Sequence, residues 1–512
     1  MLAKTYTCEV IGLDGHIVEV EVDYNPQGMP AFIVVGLAHT TVQESKERVR
    51  AAIKNSRLRY PAKRFVVNLA PADLRKEGTG YDLAMAVGCL AVTDQIPVQK
   101  LDRALFVGEL SLDGAVRHVR GVLSIAQAAR DAGFTALYVP AEDGPLAAFV
   151  PNIEVYPVAS LGQLVEHLYD LNPIPPLPYQ SPSEQTAAVL QGAYTDMRDI
   201  KGQENIKRAL EVAAAGGHNL LMVGSPGVGK TLMASAMRGI LPAMSWEECL
   251  EVTRIHSVAD LLEEKHQVIQ RRPFRNPHHM VSQAGLIGGG SQPKPGEISL
   301  AHRGILFMDE FLEFSHKSLE ALRQPLEDKK VTISRASMSL TYPCNFMLIA
   351  ATNPCQCGYL NDPLIPCKCS DSMIRNYQQK MSGPLLERFD IKLEVPRVDY
   401  DKLTGATRGE SSAQMRARVE QARQIQRERF QAHPHLQANA DMQVRDIDEF
   451  CPTSPHAQQI LRATIEKMNL SARGYHRILK LARSIADLEA SPQIEGVHMA
   501  EAIHYRPRHL TG

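Results

Sequence analysis

The chain has 512 residues, 44% of them hydrophobic and 22% charged, the balance of a soluble globular protein with length for roughly two to four domains. Its formal net charge is −1, which excludes a global basic field for nucleic acid; such contacts must come from local lysines and arginines, multiplied by oligomerisation. No apolar run approaches the roughly 18–20 residues that span a bilayer, and "MLAKTYTCEVIG" lacks the apolar core of a signal peptide, so a cytoplasmic protein with no membrane partner is expected. Nine cysteines, four of them crowded into "CQCGYLNDPLIPCKC" (355–369), argue for reduced thiols and a metal site over a disulfide framework.

In chain order, residues 1–170 mix β-rich runs such as "HIVEVEVDY" and "RFVVNLA" with helical ones such as "TTVQESKERVRAAIKNS", predicting an α+β domain. Residues 171–190 form a Pro-rich linker within "YDLNPIPPLPYQSPSEQ", where missing amide donors and fixed φ keep the chain extended. In 191–395, "IKRALEVAAAGG" reads as a helix ended by glycine and "HNLLMVG" as a buried strand entering a Gly-rich turn. Residues 396–512 are almost wholly helical in pattern, as in "SAQMRARVEQARQIQRERF". The expected plan is α/β: a P-loop core with a helical lid, preceded by the α+β domain.

The sharpest motif is "GSPGVGKT": Gly224, Ser225, Pro226, Gly227, Val228, Gly229, Lys230 and Thr231. It sits between a strand and a helix, the context that phosphate binding requires. Glycines let backbone amides face the phosphates of ATP; Lys230 would reach the β- and γ-phosphates and Thr231 would ligate Mg²⁺. "GILFMDE" (304–310) is an apolar strand ending in Asp309, suited to the Mg²⁺ shell, and Glu310, suited to polarise the attacking water. "FMLIAATNP" places Asn353 at another strand end, where an amide orients water beside the γ-phosphate.

These motifs in this order resemble the AAA+ ATPases, and "GPLLERFDI" (383–391) extends the match. The resemblance implies that Arg388 is the arginine finger of a neighbouring subunit's site. It also makes "NLSARGYHRILKLAR" the sensor-2 helix, with Arg473 reaching back to the γ-phosphate and Arg477 as the other choice. The long interval between Lys230 and Asp309 holds an insert, "RRPFRNPHHMVSQAGLIGGGSQPKPGEISLAHRG", similar to that of magnesium-chelatase-like members, whose clade contains the MCM helicases. There the insert points a loop into the channel of a ring, so Lys294 is expected on a pore loop. A hairpin in "DKKVTISRASMSLTYP" matches the pre-sensor-1 hairpin, with Lys329, Lys330 and Arg335 as phosphate contacts. His278 and His279 are expected to be structural, because adjacent histidines diverge on most backbones.

Cys355, Cys357, Cys367 and Cys369 have the form Cys-x-Cys-x9-Cys-x-Cys. Four gathered thiols make a tetrahedral site whose usual occupant is Zn²⁺, stapling a polar loop that has no core; its position suggests a brace at the subunit edge. Towards the amino terminus, "RKEGTGYDLAMAVGCLAV" and "ALFVGELSLDGAVRHVRGVLSIAQAARDAGFTALYVP" resemble the proteolytic domain of Lon proteases. The Lon serine falls at Gly80 and the Lon lysine at Leu123, so the fold is kept and the Ser/Lys dyad lost.

Together these parts resemble the ComM/YifB family over essentially the whole chain. The resemblance implies a homo-hexameric ATP-driven motor on single-stranded and branched DNA, acting by helicase or branch-migration activity during integration of incoming DNA in natural transformation and recombination. A magnesium-chelatase motor subunit and a protein-remodelling chaperone are the alternatives.

Overall fold

The computed structural model describes residues 2–36, 40–74, 76, 78–181, 195–262, 267–290, 293–335, 338–381, 383–398, 409–433, 435–468 and 470–506. They form two compact units, Met1–Glu184 with Cys249–Ile269, and Gln185–Glu248 with Gln270–Gly512.

The first unit is built on strands β1 (Leu2–Ile11), β2 (Asp14–Asn25), β3 (Ala31–Val35), β4 (Arg64–Ala70), β5 (Ala104–Phe106), β6 (Ala136–Pro140) and β7 (Glu154–Val158). They make a mixed sheet in the order β3-β4-β2-β1-β5-β6-β7. The alternation in "HIVEVEVDY" is the cause of its two-sidedness: Val18, Val20 and Val22 are fully buried, as are Phe65, Val67 and Leu69 on the paired β4. Against this face packs the helix Asp82–Val92, buried along its whole length, which is why its sequence is apolar all round. Asp82 lies within that helix, and Arg48 neutralises it at 2.6 Å. Part of the stretch expected to belong wholly to the nucleotide core, Cys249–Ile269, packs with this unit instead. Arg254 accounts for it, donating to the Leu13 carbonyl at 2.7 Å and to the Ser124 hydroxyl at 3.4 Å.

The second unit carries β8 (Leu220–Val223), β9 (Phe274–Arg275), β10 (Ile305–Met308), β11 (Lys330–Arg335), β12 (Met338–Pro343), β13 (Met347–Thr352) and β14 (Ile391–Glu394). Five of these form a wholly parallel sheet in the order β9-β10-β13-β8-β14. Strands β8, β10 and β13 are buried at every position. A parallel sheet covered on both faces needs continuous apolar runs, which "LLMV", "ILFM" and "MLIAAT" supply. The helix Glu204–Gly216 ends on Gly217 in the left-handed region, where a Cβ would be strained.

The carboxy-terminal helices Ser412–Arg429, Pro455–Met468, Ala472–Leu488 and Gly496–His504 share one apolar core with the sheet, so Val419, Ala422, Ile478 and Ile485 belong to the same cluster as Leu220 and Ile349. Buried polar bonds fix the join: Gln426 donates to the Ala215 carbonyl at 3.0 Å, and Ser484 lies 2.8 Å from the His218 ring. Core and lid are thus one packed body.

Candidate active site

Three strand ends of the parallel sheet converge where such sheets bind ligands. After β8 the chain turns through Gly224–Gly229. A Cβ on Gly224 would lie 2.6 Å from the Val395 carbonyl oxygen, while Gly227 and Gly229 have φ of 80° and 89°. The loop opens on a cavity of about 890 Å³ bounded also by Asp199–Lys201, residues 360–364 and Glu394–Val398.

Lys230 is buried and folds back over this loop, donating to the carbonyls of Gly224 at 2.6 Å and Ser225 at 3.1 Å and to the Asn353 amide oxygen at 3.1 Å. Burial lowers its pKa, with Asp309 pulling the other way. An ammonium held only by neutral oxygens is suited to exchange them for the stronger bonds of a polyphosphate. One oxygen of Asp309 accepts from the Thr231 hydroxyl at 2.7 Å and the other from the Glu310 amide at 2.9 Å. A hydroxyl and a carboxylate in contact are the donor set a Mg²⁺ ion prefers. Lys230, Thr231, Asp309 and Asn353 are therefore brought together as expected.

Glu310 stands in the left-handed region at φ 49°, a conformation that a non-glycine residue keeps only when its surroundings enforce it. Its carboxylate lies 3.0 Å from His279 Nδ1. The two histidines do not diverge: their ring centroids are 4.2 Å apart, with the planes tilted by 34°. His279 as a partner of Glu310 is a residue the sequence reading missed.

Arg388 donates to Glu327 at 2.6 Å. Arg473, 62% exposed, lies 3.7 Å from Glu387, the neighbour of Arg388 in the chain. The lid helix thus presents Arg473, expected to reach the γ-phosphate, at the Arg388 loop. Arg477 is largely buried, 3.8 Å from Asp390.

The two fingers also take shape. Lys294 is exposed on a short ribbon that pairs it with Gly289. Strands β11 and β12 form the expected hairpin, Thr332 facing Thr341 and Ile333 facing Leu340. The Tyr342 hydroxyl donates to the Pro293 carbonyl at 2.9 Å, which ties the hairpin to the Lys294 ribbon. Lys330 is exposed at the hairpin's base, opposite Pro343. Arg335 ends β11, and its side chain lies outside the described residues. Lys329 differs from its expected role: it caps the helix Arg323–Asp328 at φ 53°, and its ammonium pairs with Asp441. An ammonium committed to an internal carboxylate is not presented to a phosphate.

The four expected metal-binding thiols do converge, with Cys355, Cys357, Cys367 and Cys369 all within 4.8 Å of one another. Cys355–Cys357, Cys357–Cys367 and Cys355–Cys367 are 3.4, 3.5 and 3.7 Å apart. Metal–sulfur bonds of about 2.3 Å put tetrahedral sulfurs roughly 3.8 Å apart, so the set fits a thiophilic ion such as Zn²⁺ with little adjustment. Hydrogen bonds from the amides of Lys368 and Tyr359 bias the Cys357 thiol towards thiolate, the ligating form.

In the first unit, a Cβ on Gly80 would meet only the Val119 and Val107 methyls, at 3.6 and 3.7 Å. Leu123 is buried in the helix Val122–Asp131. No nucleophile or base stands at either position.

Three family models match: "Subunit ChlI of Mg-chelatase" over residues 18–143, "Magnesium chelatase, subunit ChlI" over 196–403, and its carboxy-terminal portion over 409–506. The chain is 41% identical to the competence protein ComM of Haemophilus influenzae over 508 residues, covering 99% of this chain and 97% of that one. It is 40% identical to YifB of Escherichia coli over 506 residues, 99% and 97% of the two chains. A partial similarity, 27% over 246 residues, covers 41% of this chain and 42% of Lon protease 2 of Bacillus subtilis. Another, 24% over 218 residues, covers 40% of this chain and 21% of the replication licensing factor Mcm2 of Drosophila melanogaster. No helix among the described residues is long and apolar enough to cross a membrane. With near-complete coverage of both ComM and YifB, and an α/β fold made of an AAA+ P-loop core with a helical lid behind a Lon-like α+β domain, the chain belongs to the ComM/YifB family of magnesium-chelatase-like AAA+ proteins.

Proposed function

We propose that this protein is a cytoplasmic, ATP-hydrolysing ring motor on DNA, working by helicase or branch-migration activity when incoming DNA is integrated during natural transformation. The observation that carries the reading is the Lys230–Asn353 and Thr231–Asp309 pairing at the strand ends, with Glu310 beside it. Lys230 and the loop amides bind the phosphates, and Thr231 with Asp309 would hold Mg²⁺, which supplies charge neutralisation when bound. Glu310 accepts a proton from water once its carboxylate turns from His279. Asn353 orients that water.

Arg388 and Arg473 serve the site of the next subunit of a homo-hexamer, a reading supported by their pairing with Glu327 and Glu387 and not with the Lys230–Asp309 cluster. Each ring then presents several copies of Lys294, Lys330 and Arg335 to the phosphates of single-stranded or branched DNA, which reconciles DNA binding with a net charge of −1. Lys329 braces the hairpin from behind. Residues 1–170 act as an assembly domain, 171–190 as a linker, 191–395 as the motor and 396–512 as the lid, with structural zinc on the four cysteines.

The name of one relative, a competence protein, and the partial similarity to a DNA replication licensing factor favour DNA over the two other substrates that ring motors of this kind act on. ATP turnover is measured with a forked duplex, a four-way junction, a porphyrin with Mg²⁺, and an unfolded protein. Stimulation by the DNA substrates alone is expected. A response only to porphyrin makes it a chelatase motor, and a response only to unfolded protein makes it a remodelling chaperone.

A further inference from the structure

The cysteine loop does not stand apart from the nucleotide cavity. It leaves β13 directly after Asn353, whose amide bonds Lys230. Gly358, between the two cysteine pairs, has φ 86°, and a Cβ there would lie 2.7 Å from the Pro226 ring of the phosphate loop. Residues 360–364, also between the pairs, form one wall of the cavity.

Asp362 joins that wall to the rest of the site. Its side chain is shielded from solvent, and its carboxylate accepts from Arg397 at 2.7 Å. It also accepts from the amides of Leu364 and Ile365, each at 3.0 Å, and from the side chain of Ser225. Both Arg397 and Ser225 line the same cavity. Burial acts against the charge on Asp362, yet these bonds outweigh it and keep the carboxyl below its usual range. The loop has no apolar core of its own: Leu364 is 75% exposed and Ile365 37%. Its course is held by the gathered thiols at its two ends, the Asp362 bonds, the packing of Gly358 on Pro226 and two local backbone bonds, Gly358 to Cys355 and Asp362 to Tyr359.

We propose that a thiophilic divalent cation on Cys355, Cys357, Cys367 and Cys369 sets the nucleotide affinity of the motor, by clamping the Gly358–Leu364 segment as a wall of the cavity. The loop is thereby a metal-dependent part of the binding site and not a remote edge brace. Closing both ends of a short loop with one ion removes most of its freedom, and the wall then meets the nucleotide already ordered. Without the ion, ordering the segment is charged against binding. The inference rests on the reading that this cavity takes ATP.

The test uses the full-length chain. Metal content is measured by mass spectrometry; zinc is removed with a mercurial and a chelator, the mercurial is then displaced from the cysteines by excess dithiothreitol and washed away, and zinc is restored as zinc chloride. Affinity for a non-hydrolysable ATP analogue is followed by calorimetry at each stage. One zinc per chain is expected, with affinity falling roughly tenfold on its removal and returning on its restoration, the size of one lost charge-assisted bond. Asp362→Asn should retain its zinc and show a similar loss of affinity, which separates the wall from general unfolding. Equal affinity in the loaded and stripped chains overturns the proposal. So does unaltered affinity in Asp362→Asn, or a chain that takes up no zinc. A chain that binds the analogue in neither state overturns the nucleotide reading instead.

Discussion

The two units hold what are, by resemblance, two catalytic scaffolds, and they have fared differently. In the second, each charged or polar side chain at the strand ends has a partner of complementary chemistry: Lys230 with Asn353, Thr231 with Asp309, Glu310 with His279. In the first, the positions that match the Lon dyad are Gly80, which faces Val107 and Val119, and Leu123, buried in its helix. Packing has replaced chemistry there, while the sheet and its buried helix persist. A fold survives on its apolar periodicity, whereas a site survives only if every member of a polar constellation is kept.

The contrast is open to mutation. Glu310→Gln removes the proton acceptor but not the phosphate cradle. Turnover should fall about 10²- to 10⁴-fold with analogue affinity kept; normal turnover would mean that Glu310 is not the base. Lys230→Ala should weaken nucleotide binding by roughly 10- to 100-fold, the equivalent of one charge-assisted bond, read by calorimetry. In the first unit, Leu123→Ala should lower unfolding stability by about 2–5 kcal/mol, as for a large-to-small change in a core, and leave the analogue affinity of the second unit unaltered. A change in affinity there would show that the Lon-like unit still bears on the site. The smallest effect belongs to Lys294→Ala, which should lower the salt dependence of DNA binding by about one contact without altering ATP turnover in the absence of DNA.

The phosphate loop, the strand ends and the cysteine cluster were legible because their chemistry demands particular residues at short fixed spacings. "GSPGVGKT" needs its glycines for backbone reasons alone, and an apolar run ending in Asp309 announces a buried strand delivering a carboxylate. The pairing of His279 with Glu310 escaped notice because nothing in the chain links the two until β9 and β10 pair. Asp362 was hidden in the same way: an aspartate in "NDP" reads as a turn residue, and only the packing of its loop on Pro226 gives it Arg397 and Ser225 as partners. Lys329 misled in the other direction. A lysine pair before a hairpin suggests phosphate contacts, but one left-handed residue at the helix end turned the first lysine inward to Asp441.

Local patterning was therefore enough to establish the parallel core, the lid and the nucleotide-binding loop, since backbone geometry and burial act over a few residues at a time. Which of two adjacent lysines faces solvent, which carboxylate Arg473 meets, and that the cysteine loop lies against the phosphate loop were decided by contacts between segments far apart in the chain. Such contacts depend on how the layers pack, and a pattern of nearest neighbours carries no record of them.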